Sequence, residues 1–142
     1  VRVLAVDFGE RRIGLAVSDP SGEIVLPVGA VARRSDAQAA AEVAAAARER
    51  EVERIVVGLP VRADGEGESP FAARARGFAR KLAEAAGLPV ELHGEAFTSV
   101  SAEGSLREAG LGGRRRAAAL DAEAAAELLR DWLSSRPPGG AG

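Results

Sequence analysis

The chain has 142 residues, 46% of them hydrophobic and 28% charged, proportions that suit one globular domain. With no cysteine and one histidine, disulfides, thiolate chemistry and a histidine-rich zinc site are excluded, so any metal must be held by oxygen, as magnesium and manganese prefer. A net charge of -2 argues against a surface coated in positive potential.

Val3 to Phe8 reads as a strand buried on both faces, yet it carries Asp7 where a hydrophobic residue is expected. Arg12 to Val17 reads as its antiparallel partner, with the turn supplied by Gly9 and the charged residues after it. "SDPSGE" marks a second turn, and Ile24 to Val31 a third strand. Ser35 and Asp36 are candidate N-caps for an alanine-rich helix running to about Arg50. "RIVVGLP" is a buried strand entering the polar loop "VRADGEGES". A helix is expected from Pro70 to Ala86, then a short strand, "VELH". Thr98 or Ser99 caps a helix ending at Gly110, and a last helix spans roughly Arg115 to Ser134. The expected domain is therefore residues 1–134, with a disordered tail over 135–142.

Three hairpin-linked strands followed by alternating helices and strands predict an α/β fold: a mixed five-stranded sheet with helices on its faces. In it, strands four and five would run parallel to strand one. Ligands collect at the carboxyl ends of parallel strands, where Asp7 and Glu95 lie. No apolar run approaches a membrane span and no signal-peptide pattern opens the chain, so the expected compartment is the cytoplasm.

Asp121 is the sharpest signal. At about 100° per residue it lies over Ala125, Leu128 and Trp132, on the apolar stripe of the last helix. A carboxylate there either pairs with an arginine, Arg11 or Arg12, or faces a site. Asp7 has its own structural alternative as the cap of the turn at Gly9, and Glu95 alone reads as a solvated residue after a strand. Clustered, the three would repel unless cations sat between them. Two magnesium ions would offset that charge and support phosphodiester cleavage without histidine. Arginines concentrate at Arg11-Arg12, Arg33-Arg34, the Arg74/Arg76/Arg80/Lys81 group and Arg114-Arg115-Arg116. Arg11 and Arg12 serve either substrate phosphate or Asp121. The Gly112–Arg116 run reads as a flexible basic hinge, for substrate or as a solvated helix start. His93 and Phe97 read as structural.

The stretches "VDFGERRIGLAVSD", "VVGLP", "GEAFTS" and "LDAEAA" together resemble the YqgF/RuvX family of the ribonuclease H-like superfamily. The family is described as nucleases of pre-16S ribosomal RNA or as Holliday junction resolvases. The resemblance covers nearly the whole chain up to the tail. It implies a ribonuclease H-like sheet and an acidic triad of Asp7, Glu95 and Asp121, acting with magnesium or manganese. It also implies that Arg11 and Arg12 are the family's basic pair, and Thr98 and Ser99 its hydroxyl pair. Where the family has Asp-Glu-Arg before that pair, this chain has Gly94-Glu95-Ala96.

The expected function is therefore a metal-dependent endonuclease on structured nucleic acid, processing the 5' end of pre-16S ribosomal RNA, as a monomer or homodimer. The alternatives are resolution of four-way DNA junctions, a non-catalytic RNA-binding module, and a nucleotide-binding ATPase-like domain suggested by "DFG" before a hairpin.

Overall fold

The computed structural model describes residues 1–60, 70–95 and 113–135. They form β1 (Val3–Phe8), β2 (Arg12–Ser18), β3 (Val25–Ala32), α1 (Asp36–Glu49), β4 (Arg54–Pro60), α2 (Pro70–Ala86), β5 (Val90–Glu95) and α3 (Gly113–Ser134). The sheet order is β3-β2-β1-β4-β5. The pairs β1/β2 and β2/β3 are antiparallel, while β1/β4 and β4/β5 are parallel. This is the mixed five-stranded sheet expected from the order of hairpins and crossovers.

Central strands β1 and β4 have the continuous apolar sequence that burial on both faces demands. The crossovers β3–α1–β4 and β4–α2–β5 both step in the same direction across the sheet. Right-handed connection therefore puts α1 and α2 on one face. There Leu4, Val6, Phe8, Ile13 and Leu15 pack against Val43, Phe78 and Leu82. Helix α1 starts from a complete capping box: the Ser35 hydroxyl accepts from the Gln38 amide (3.1 Å), and the Gln38 side chain accepts from the Ser35 amide (3.2 Å).

Helix α3 covers the opposite face, so the sheet carries helices on both sides. Leu128, Leu129 and Trp132 pack on Val3, Ala5 and Val56, and Ala125 and Ala126 on Ala16. Small residues let this helix approach closely. A Cβ built on Gly14 would lie 1.9 Å from the main-chain oxygen of Asp121, so only glycine fits beneath that point of α3. Gly14 is also the cross-strand partner of Asp7. One contact of the fold thus brings Asp121 over the strand pair that carries Asp7.

Two boundaries differ from expectation by more than one residue. Strand β5 runs on from "VELH" to Glu95, because Leu59 and Pro60 continue the ladder opposite Gly94 and Glu95. Helix α3 starts at Gly113, so Arg114, Arg115 and Arg116 belong to its first turn rather than to a flexible hinge. Arginine is a good helix former, and the packed alanines that follow carry the helix back through them. The loop 61–69, the expected helix after Thr98 and residues 136–142 of the tail lie outside the described residues. No described helix is long and apolar enough to cross a membrane.

Candidate active site

Strand alternation decides which side Asp7 serves. Leu4, Val6 and Phe8 point towards α1 and α2, whereas Val3 and Ala5 point towards α3. Asp7 continues the second series. Burial, and secondarily the neighbouring Asp121 carboxylate, push its pKa up to about 6 from an ordinary 3.8. Among the described residues no donor hydrogen-bonds the Asp7 carboxylate. A charge held this way, near a second carboxylate and without donors, is unfavourable until a cation joins it.

Asp121 faces both ways. Its Oδ2 accepts a hydrogen bond from Arg12 Nε at 2.6 Å, and its field raises the pKa of Asp7. Arg12 reaches it because β2 alternation puts Arg12 on the same side as Gly14 and Ala16, under α3. The arginine side chain is 43% exposed and the aspartate 22%, so this is a half-solvated pair rather than a buried one. Such a pair contributes about 0–1 kcal/mol. Of the two readings of Asp121, pairing with arginine and facing a site, the structure shows the pairing and also the nearness to Asp7.

The other expected residues are placed as follows. Glu95 closes β5 opposite Pro60, two residues beyond His93. Arg11 is exposed just before β2, and its guanidinium has no partner among the described residues. Arg116 is partly buried in the first turn of α3, where Arg114 and Arg115 also lie. Thr98, Ser99 and Phe97 fall outside the described residues. Among the described residues Asp7 and Asp121 are brought together, and no set of three His, Asp or Glu side chains forms a ready metal cage. His93 Nε2 donates to Asp131 Oδ2 of α3 at 2.7 Å, and Trp132 Nε1 donates to Glu91 at 2.6 Å. These contacts tie β5 to α3 and fit the structural role expected of His93.

Two residues of the site escaped the reading of the sequence. Gly14 carried a signal, since a glycine inside a strand marks close approach of another backbone. Arg33 was visible only as one of a basic pair. The structure puts it against the turn beside Asp7, with Nε donating to Gly9 O at 3.2 Å.

A family model described as "RuvX: Holliday junction resolvase" matches residues 1–135. A protein of Anaeromyxobacter dehalogenans named "Putative pre-16S rRNA nuclease" is 48% identical over 138 residues, covering 97% of this chain and 100% of its own. One of the same name from Chloroflexus aurantiacus is 40% identical, over 94% of this chain and 87% of its own. Among solved structures, RuvC of T. thermophilus in complex with a Holliday junction substrate superposes with a TM-score of 0.56 at 19% identity, covering 96% of each chain. The fowlpox virus Holliday junction resolvase gives 0.57 at 10% identity, over 96% of this chain and all of its own. These two likenesses establish the ribonuclease H-like fold. The family match, the relatives and the paired strands together show that this chain belongs to the RuvX family.

Proposed function

We propose that the protein is a divalent-metal-dependent endonuclease that matures the 5' end of pre-16S ribosomal RNA, with Asp7, Glu95 and Asp121 as its acidic residues. The observation that carries this reading is the convergence of Asp7 and Asp121 at the carboxyl end of β1. There Asp7 is partly buried, lacks hydrogen-bond donors among the described residues and is held towards its neutral form. A site of that chemistry suits a hard cation with oxygen ligands. The donor set fits magnesium or manganese, held by Asp7 and Asp121 with Glu95 from the end of β5. Bound there, such an ion supplies an activated water and stabilises charge on the leaving oxygen.

The chain's own residues do the rest. Asp7 presents its carboxylate from a strand fixed on both sides, so its position changes little on binding. Arg12 holds the Asp121 carboxylate and, being half exposed, can also meet substrate phosphate. Arg11, exposed and unpartnered among the described residues, is a cation available to the nucleic-acid backbone. Thr98, Ser99 and the Arg114–Arg116 turn complete the proposed substrate contacts.

The relatives are named for pre-16S ribosomal RNA and the family model for Holliday junctions, so one experiment should present both. Purified protein is incubated with labelled precursor ribosomal RNA and with a four-way DNA junction, in magnesium, in manganese and in chelator. Metal-dependent cleavage of the RNA supports the proposal. Cleavage of the junction alone favours the resolvase reading, and full activity in chelator overturns the metal mechanism. Replacing Arg114, Arg115 and Arg116 by alanine should lower the salt slope of binding by roughly one unit per lost phosphate contact. An unchanged slope would make these arginines a solvated helix start.

A further inference from the structure

The geometry points to Arg33 as a positioning residue, a clamp that holds the β1–β2 turn so that Asp7 and Arg12 stay aligned. The inference rests on the reading of Asp7 as an active-site carboxylate. Arg33 follows the last residue of β3 and touches the turn at three places. Its Nε donates to Gly9 O at 3.2 Å. Its main-chain amide donates to Arg11 O at 2.8 Å. Its guanidinium lies over the Phe8 ring, 4.9 Å from the centroid. The far end of the side chain is anchored in turn, since NH1 donates to Asp36 Oδ1 at 2.9 Å, at the start of α1.

Each contact bears on a neighbour of the site. Phe8 follows Asp7 and is wedged against Phe71 and Phe78 of α2, with centroids 5.4 and 5.0 Å away. Gly9 lies so close to the start of β2 that a Cβ there would meet Arg12 O at 2.3 Å, so the turn the clamp holds packs directly against Arg12. Arg11 leads directly into Arg12. A planar guanidinium can serve the Gly9 carbonyl, the Phe8 ring and the Asp36 carboxylate together, which a lysine ammonium cannot. Its engagement also separates it from a phosphate contact. The Arg33 side chain is 13% exposed, whereas that of its neighbour Arg34 is 75% exposed.

The test compares the full-length parent with Arg33→Met, Arg33→Lys and Asp36→Asn. Amide hydrogen exchange, read without metal or substrate, should speed up about tenfold over residues 7–13 in Arg33→Met, with α3 unchanged. Single-turnover cleavage at saturating substrate should fall roughly 10- to 100-fold, with substrate Kd within about threefold of the parent. Arg33→Lys should lie between parent and Arg33→Met in both measurements. If Arg33→Met does not fold, Asp36→Asn, which removes one anchor, should still loosen the turn and slow cleavage to a smaller degree. Unchanged exchange over residues 7–13 overturns the clamp, as does a lysine variant equal to the parent. A weakened Kd and lowered salt slope at an unchanged saturated rate would make Arg33 a phosphate contact instead. A parent that cleaves nothing would sink the nuclease reading, while the exchange result would still decide whether Arg33 holds the turn.

Discussion

Each hairpin of the sheet has an aspartate, Asp7 within β1 and Asp19 just after β2, and the two hairpins treat these carboxylates in opposite ways. At the β2–β3 turn Asp19 is served by donors from its own turn. The Ser21 hydroxyl donates to it at 2.6 Å, and the Glu23 and Ile24 amides at 2.9 and 3.0 Å. The Ser21 hydrogen bond, then those from the turn's amides, hold its pKa below the ordinary value. In the β1–β2 hairpin Asp7, a ladder residue of β1, has no such donors among the described residues. It is partly buried, and the loss of solvation raises its pKa to about 6. Asp19 is a carboxylate used to build a turn. Asp7 is one whose surroundings disfavour its charge, the condition that separates sites from scaffolding. The fold tolerates it because β1 is fixed by packing on both faces.

The largest effect should come from exchanging the two charges for amides in turn. Asp7→Asn should abolish metal-dependent cleavage, by roughly a thousandfold or more if the carboxylate holds the ion. It should also leave the metal-free protein at least as stable as the parent at pH 8. Asp19→Asn should lower the melting temperature and leave the single-turnover rate unchanged. A cleaving Asp7→Asn protein would dissolve the contrast.

Glycines sharpen the comparison next. Gly14→Ala forces a methyl group into the main chain of Asp121 and should destabilise the protein by about 3 kcal/mol or more in urea unfolding. Gly22→Ala, in the β2–β3 turn, meets only Leu133 Cδ2 at 3.7 Å but sits at φ +79°. It should cost about 1 kcal/mol through backbone strain. Equal losses would mean that α3 yields at Gly14.

The pH dependence has a definite sign. The folded pKa of Asp7 lies above its unfolded value, so the folded state keeps the proton while the unfolded chain releases it. Asp7 thus makes the metal-free protein lose stability as pH rises from about 4 to 6, and the loss levels off above that. The whole change is at most about 3 kcal/mol, at 1.36 kcal/mol per pH unit. Asp19, shifted the other way, adds stability at neutral pH that is lost on acidification. Denaturant unfolding of parent and Asp7→Asn across pH 3.5–8 isolates the first contribution, and parallel curves would refute it.

The smallest effect on stability belongs to Asp121→Asn. Losing a half-solvated pair with Arg12 costs about 0–1 kcal/mol, and relief of repulsion with Asp7 offsets part of it. Cleavage should nevertheless fail, and the rise in melting temperature caused by magnesium should shrink. A loss of several kcal/mol in chelator with the magnesium response intact would remove Asp121 from the site.

Local pattern alone determined much of this protein. Apolar runs, turn dipeptides and the Ser35 cap are short-range signals, and the helix crossovers restrict the sheet to one handedness, so the order of elements followed from them. Asp7 and Asp121 stood out because each interrupts an apolar pattern where a charge is costly. What tertiary structure decided is everything that joins distant positions. The meeting of Asp7 and Asp121 depends on α3 crossing at Gly14, a matter of one missing methyl group. The partner of Asp121 is Arg12 rather than Arg11 because strand alternation turns only the former under α3. The grip of Arg33 on Gly9 and Phe8 needs the β3 edge folded back beside β2. No periodicity in the chain encodes these approaches, since each depends on the three-dimensional path of backbones far apart in sequence.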